Sequence, residues 1–223
     1  MKKYLVFLCA MSLVFGVVGS VWALSFTGSV TVGDGLGGTT ETWNDAELKW
    51  TVDNETNKDG YWTYNYTFTA SEKALSHIQI EVSETFTIDN IFGFGPLEDI
   101  DIEAPTTYKT GNNSNPGMPG DLFGIKWETS GDPLTYNFFI VSDRAPMWGD
   151  FYAKDGVDGQ GNWVYAYNTK FGIDTDASIG DGNVGGWVLV PDTVGTPVPE
   201  PATMLLLGTG LLGLVGFRKK FKK

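Results

Sequence analysis

The sequence predicts an all-β domain, a single antiparallel β-sandwich of jelly-roll-like topology with seven to nine strands. Three observations carry that expectation. Apolar and polar residues alternate with a period of two in several short runs. Stretches rich in Asn, Asp, Gly and Pro separate those runs. No long segment repeats its apolar residues at helical spacing, and no internal repeat points to a propeller or solenoid. In the clearest run, Trp62, Tyr64, Tyr66 and Phe68 alternate with Thr63, Asn65, Thr67 and Thr69. Successive side chains of a strand point to opposite faces, so this segment is built to bury one face and leave the other in water.

The remaining elements follow the same logic. Ile78, Ile80 and Val82 alternate with His77, Gln79, Glu81 and Ser83, and Leu48, Trp50 and Val52 give a weaker case. Residues 136–141 are apolar on both faces, as a central strand would be. Trp163, Tyr165 and Tyr167 form another run, with 122–127 and 187–190 as further strands. Residues 53–60, 110–120 and 156–161 read as turns, and a single helical turn is expected near 71–76.

The two ends differ from the middle. Lys2 and Lys3 precede an almost unbroken apolar run, 4–18, and Val21-Trp22-Ala23 offers small residues at the two positions a signal peptidase reads. Residues 1–23 are therefore expected to be a signal peptide, delivered through the Sec translocon and cut by signal peptidase after Ala23. An uncleaved anchor is the alternative. At the far end, residues 202–217 are apolar with four interspersed glycines, and a basic tail, 218–223, closes the chain. Sixteen helical residues cover about 24 Å against a hydrocarbon core of about 30 Å, a gap that snorkelling and local thinning can close. Basic residues stay cytoplasmic, so both ends place the ectodomain, residues 24–190, outside. Residues 191–198 are a spacer.

Immediately before the apolar segment stands Pro199-Glu200-Pro201. Two prolines hold that stretch extended and bar helix there, which leaves an accessible strand-like segment at the membrane surface. The Pro-Glu-Pro, the glycine-containing transmembrane helix and the basic finish together resemble the PEP-CTERM sorting signal of exported Gram-negative proteins. The resemblance spans residues 199–223. It implies recognition by an exosortase, a membrane-embedded cysteine transpeptidase that removes the tail. It also implies transient inner-membrane anchoring, then delivery to the cell envelope or the extracellular space, in settings that build exopolysaccharide and biofilm. Pro199, Glu200 and Pro201 are then features of a substrate, and none is catalytic here. Residues 62–86 and 145–156 also look similar to ectodomains of uncharacterised PEP-CTERM proteins, which implies no known activity.

Charge and composition exclude several kinds of chemistry. Between the ends stand eight basic and 26 acidic residues, a formal −18 against −12 for the chain of 223 residues. Nucleic-acid binding needs a basic surface and is not expected. Cys9, in the leader, is the sole cysteine, and His77 the sole histidine. Thiolate nucleophiles, disulfides and zinc sites are thus outside the mature chain's means. A glycosidase needs only two carboxylates, for which Glu81, Glu84, Glu98, Asp99, Asp101 and Glu103 are candidates. Calcium suits hard oxygen ligands in glycine-rich loops. Asp155 and Asp158 in one loop, and Asp174, Asp176 and Asp181 in another, are its candidate ligands, although Asp-Gly is also ordinary hairpin chemistry. Aromatic faces on a sheet can stack on sugar rings. Trp148, Tyr152, Trp163 and Tyr167 lie near the acidic loops and are the candidate sugar-binding residues, while rings of a β-domain equally belong to its core. The expectation is an exported surface or matrix protein, not an enzyme, whose ectodomain is a binding or structural module for exopolysaccharide. The alternative is a secreted, glycosidase-like enzyme using a carboxylate pair.

Overall fold

The computed structural model describes residues 23–38, 41–57, 60–96, 103–175, 177–180 and 184–192. The expected signal peptide up to Trp22, most of the spacer, the Pro-Glu-Pro segment and the expected sorting helix lie outside the described residues, while Ala23 is exposed at their start. Glu98, Asp99, Asp101, Asp176 and Asp181 also lie outside the described residues. Among the described residues no helix is long and apolar enough to cross a membrane.

In chain order the strands are β1 (Ser25–Val32), β2 (Gly35–Gly38), β3 (Glu47–Asp53), β4 (Trp62–Thr69), β5 (His77–Glu81), β6 (Ile91–Gly95) and β7 (Thr106–Tyr108). There follow β8 (Leu122–Glu128), β9 (Thr135–Ser142), β10 (Pro146–Gly149), β11 (Phe151–Val157), β12 (Trp163–Asn168) and β13 (Val188–Pro191). A short 3-10 turn, Ile88–Asn90, is the only helical element among the described residues. The chain near 71–76, expected as a helical turn, is irregular instead. Its ends are tied by Ala70 N–H to Leu134 O and by Leu75 N–H to Pro133 O, both at 2.9 Å.

The all-β class holds, but the architecture is one large curled sheet where two facing sheets were expected. Eleven strands run β6-β9-β4-β3-β1-β2-β12-β11-β5-β8-β7 without a break, and β10 and β13 form a separate ribbon. The continuity passes through β2, whose sequence is Gly-Leu-Gly-Gly. It makes two parallel pairs with β1 and three antiparallel pairs with β12. A Cβ on Gly38 would fall 2.3 Å from the Tyr165 carbonyl oxygen, so only glycine lets β2 lie this close to its neighbour. Such a strand has no apolar alternation, so the sequence carries no strand signal there.

The sheet curls because its two flanks share one core. Phe94 of β6 stacks on Trp127 of β8 at 4.7 Å, and the Trp127 indole N–H donates to Gly95 O at 3.1 Å. These strands stand near opposite ends of the sheet order. Trp50, Tyr64, Tyr66, Phe68, Phe138, Ile78 and Ile80 fill the space between. β13 is buried along its whole length and meets β1, β3 and β5. The Tyr66 hydroxyl donates to Leu189 O at 2.8 Å, and the Tyr64 hydroxyl to Arg144 O at 2.7 Å. Tyr64 and Tyr66 thus each use the polar tip of a buried ring to satisfy a backbone carbonyl that the ladders leave over.

Candidate functional site

The inner face is packed, so any functional group must come from the outer face or the loops. On the β12–β11–β5–β8 flank, β12 inverts the alternation seen in β4. Val164 and Ala166 point to the core, while Trp163, Tyr165 and Tyr167 are half-buried on the outside. Pairing sets Tyr165, Lys154, His77 and Glu128 in one row across four strands, and Tyr167, Tyr152, Gln79 and Lys126 in the next. The rings of Tyr152, Tyr165 and Tyr167 are stacked at 6.4 and 6.3 Å.

Residues 109–121 fold over this surface as a strap. The Tyr152 hydroxyl donates to Pro116 O at 2.7 Å, Gln79 Nε2 to Asn115 Oδ1 at 2.7 Å, and Lys154 Nζ to Asn113 O at 3.2 Å. Gly117 presses on the Tyr165 ring, where a Cβ would fall 2.0 Å from it. The Lys109–Asp121 ion pair, 2.6 Å, closes the base of the strap. It lines a cleft of about 510 Å³ with Glu84, Thr107 and Phe123.

Burial under the strap decides the state of His77. Desolvation pushes its imidazole down to about 4, against the opposite pull of Glu128 at 3.9 Å. The ring sits 3.4 Å from Gln79 Nε2 and is neutral at ordinary pH.

Two sugar-stacking candidates are corrected by this arrangement. Trp148 is 5 % exposed in the core, its indole N–H bound to Ala177 O at 3.1 Å, and Tyr152 is 0 % exposed beneath the strap. Neither offers a ring face to a ligand. Trp163 and Tyr167 lie on the same outer face of β12. The Lys154 ammonium stands 4.9 Å over the Trp163 ring, and Tyr167 meets Phe171 edge-on at 6.4 Å.

Among the calcium candidates, Asp158 behaves as a loop residue. Asp158 Oδ1 accepts the Gln160 and Asn162 N–H groups, each at 2.8 Å, and Oδ2 accepts Asn162 Nδ2 at 3.1 Å. The backbone N–H of Asn162 is the largest influence holding this carboxyl below its ordinary range. Asp155 lies just upstream in β11. Asp174 acts through its charge on Glu81, Asp150 and Asp192. Among the described residues no three His, Cys, Asp or Glu side chains gather into a group able to hold a metal.

Sequence reasoning named Glu81 but missed its partners. Glu81 Oε2 accepts the Asp150 N–H at 2.8 Å. Asp150 Oδ1 accepts from Asn168 Nδ2 at 2.7 Å and Oδ2 from the Gly172 N–H at 2.6 Å. Asn168, itself fully buried, takes the Phe151 N–H on its own oxygen at 2.9 Å. Desolvation, reinforced by the Asp150 charge, pushes Glu81 up to about 8. Burial likewise raises Asp150, and pushes Asp192 at the end of β13 up to about 6. Asp150 sits between two strands with no alternation of its own, so no periodicity could have found it.

Taken together, the described residues define a β-rich domain with one flank open to solvent and the other covered by its own strap. The chain carries a PEP-CTERM protein-sorting motif at residues 197–220, in the place where the C-terminal pattern led us to expect it. The motif implies a secreted protein that an exosortase sorts and that is held transiently in the membrane. No curated protein and no solved structure matches the chain.

Proposed function

We propose that residues 24–190 are a non-catalytic binding or structural module acting at the cell envelope or in the extracellular matrix, with exopolysaccharide as its ligand. It reaches that place by Sec-dependent export, removal of the leader after Ala23, and exosortase cleavage of the tail. The observation that carries the reading is the sorting motif at 197–220 at the end of an all-β chain. The carboxylates support the non-catalytic part. A hydrolytic pair needs one carboxyl free to attack or to activate water. Both oxygens of Asp150 already accept hydrogen bonds from the scaffold, and Glu81 holds the Asp150 backbone. One observation favours the enzyme alternative: a carboxyl raised to about 8, like Glu81, stays protonated at neutral pH, as a general acid must.

One experiment separates the two. The exported protein is mixed with the exopolysaccharide of its own cells, and both pull-down and polymer length are recorded. Retention of polymer at full length supports the module. Shortening that disappears in Glu81→Gln replaces the module with the enzyme. Sorting is tested apart from this by deleting residues 199–223, which should abolish membrane retention of the unprocessed form. Unchanged fractionation would refute the assignment of the tail.

A further inference from the structure

The outer face of β4, β9 and β6 has no role so far. Phe138 and Ile140 of β9 go to the core, so Phe139 between them faces outward, half-buried. The facing positions on the edge strand are glycines. A Cβ on Gly95 would fall 2.2 Å from the Phe139 ring, so the ring lies flat against bare backbone. A register shift between Ile91 and Gly93 throws Phe92 out of the core. Phe92 is 52 % exposed and meets Tyr61 edge-on at 4.3 Å. Polar groups stand beside these rings. Asn65 pairs opposite Phe139, and Thr67 opposite Asn137. The Thr67 hydroxyl donates to Asn137 Oδ1 at 2.8 Å, so the amide N–H₂ of Asn137 is what the pair offers a ligand.

Charge identifies the kind of ligand. No outward residue of β4, β9 or β6 is charged, in a domain, residues 24–190, of formal charge −17. On the neighbouring β3, Lys49 and Glu47 neutralise each other at 2.7 Å. The net acidic charge of the domain disfavours a polyanion and leaves an uncharged chain free to approach this strip. Hydroxyls and amides donate and accept alike, as sugar hydroxyls do, and aromatic faces suit the C–H faces of sugar rings. From Tyr61 to Thr67 the strip runs on the order of 20 Å along the strand, room for several rings of an extended chain.

We propose that this face binds an uncharged glycan chain, stacked on Phe139 and on the Tyr61–Phe92 pair and hydrogen-bonded by Asn65, Thr67 and Asn137. The proposal rests on the binding-module reading and names its ligand class and its surface. The test is native affinity electrophoresis of the exported protein in gels containing hydroxyethylcellulose, dextran or galactomannan, all neutral, or alginate, which is anionic. Wild type should be retarded by at least one neutral polymer and not by alginate. Phe139→Ala should weaken that retardation about tenfold, the size of a lost aromatic stacking contact. Phe139→Tyr, which keeps the ring, should retain it, as should Trp163→Ala on the other flank. Loss in Trp163→Ala with none in Phe139→Ala would overturn this face and leave the binding module standing. Retardation by alginate alone would overturn it as well. No retardation in any gel would overturn the face and the module together. Self-association abolished by Phe92→Ser would assign the face to a second copy of the chain instead.

Discussion

Strands β4 and β12, on the two flanks of the curled sheet, turn their aromatic rings in opposite directions. In β4 the rings of Trp62, Tyr64, Tyr66 and Phe68 point inward and Asn65 stands in water. In β12 the small Val164 and Ala166 point inward, and Trp163, Tyr165 and Tyr167 point out. Both strands alternate perfectly, yet only β4 follows the rule that the apolar face is the core face. The difference lies in what covers the outside. β4 has solvent there, whereas β12 and its neighbours have residues 109–121, whose Pro116, Gly117 and Met118 give the outer rings a second, smaller core. An aromatic alternation therefore locates a buried face without saying on which side of the sheet the burial occurs.

The sharpest way to break the comparison is to remove what the flanks share. Trp127 of β8 stacks on Phe94 and packs on Phe138, joining the strapped flank to the open one. Trp127→Ala should cost about 3–5 kcal/mol by lost burial and cavity formation, read by denaturant unfolding. A cost below about 1 kcal/mol would mean that the flanks do not depend on a common core.

Next in size is pH. Glu81 is raised from 4.5 to about 8 in the folded chain, so folding favours its protonated form. The stability it contributes is complete below pH 4.5 and is lost as pH rises towards 8. His77 is depressed from 6.5 to about 4, so folding favours its neutral form. Its contribution is complete above pH 6.5 and is lost as pH falls towards 4. Each amounts to on the order of 2–3 kcal/mol once residual solvent is allowed for. Glu81→Gln should flatten the alkaline decline of the melting temperature, and His77→Gln the acid decline. Identical pH profiles for wild type and both variants would show that neither group is desolvated as the packing implies.

Much of the inner architecture was legible in sequence. The alternations at 48–52, 62–68 and 163–167 and the apolar run at 136–141 all fall in strands, and the alternation at 78–82 does so up to Glu81, because these patterns are local properties. What stayed hidden depends on partners far along the chain. β2 carries no strand signal because three of its four residues are glycine, yet it joins the flanks and makes one sheet of what was expected as two. Trp148 and Tyr152 were chosen for nearness to acidic loops, and their burial is set by β13 and the strap, 30 to 40 residues distant. Asp150 takes its importance from Asn168 and Gly172, and Phe92 its exposure from an irregular register. None of these contacts leaves a trace in local pattern.

The strap itself supplies a smaller test. Tyr152→Phe keeps the ring and deletes the hydrogen bond to Pro116 O, leaving that carbonyl without its donor. A cost of about 1 kcal/mol is expected. Faster hydrogen exchange and proteolytic nicking should be confined to 109–121, with the β4–β9 amides unchanged. Loosening that spread equally to both flanks would mean that the strap is part of the main core and not a cover on one side.

The smallest expected effect completes the comparison. Thr67 lies outward on β4, and its hydroxyl bonds only across the surface to Asn137. Thr67→Ala removes that contact in water, where the freed amide oxygen is solvated at once, so the change in stability should stay within about 0.5 kcal/mol. The equivalent outward position on the strapped flank is occupied by Gln79, buried against Asn115. Gln79→Ala would strand the Asn115 oxygen away from water and should cost about 1–3 kcal/mol. The ratio of the two costs measures how far the cover, and not the strand, determines what an outward residue contributes. Equal costs would remove the distinction between an open and a covered face, and with it the reason to look for a ligand on the β4–β9 side.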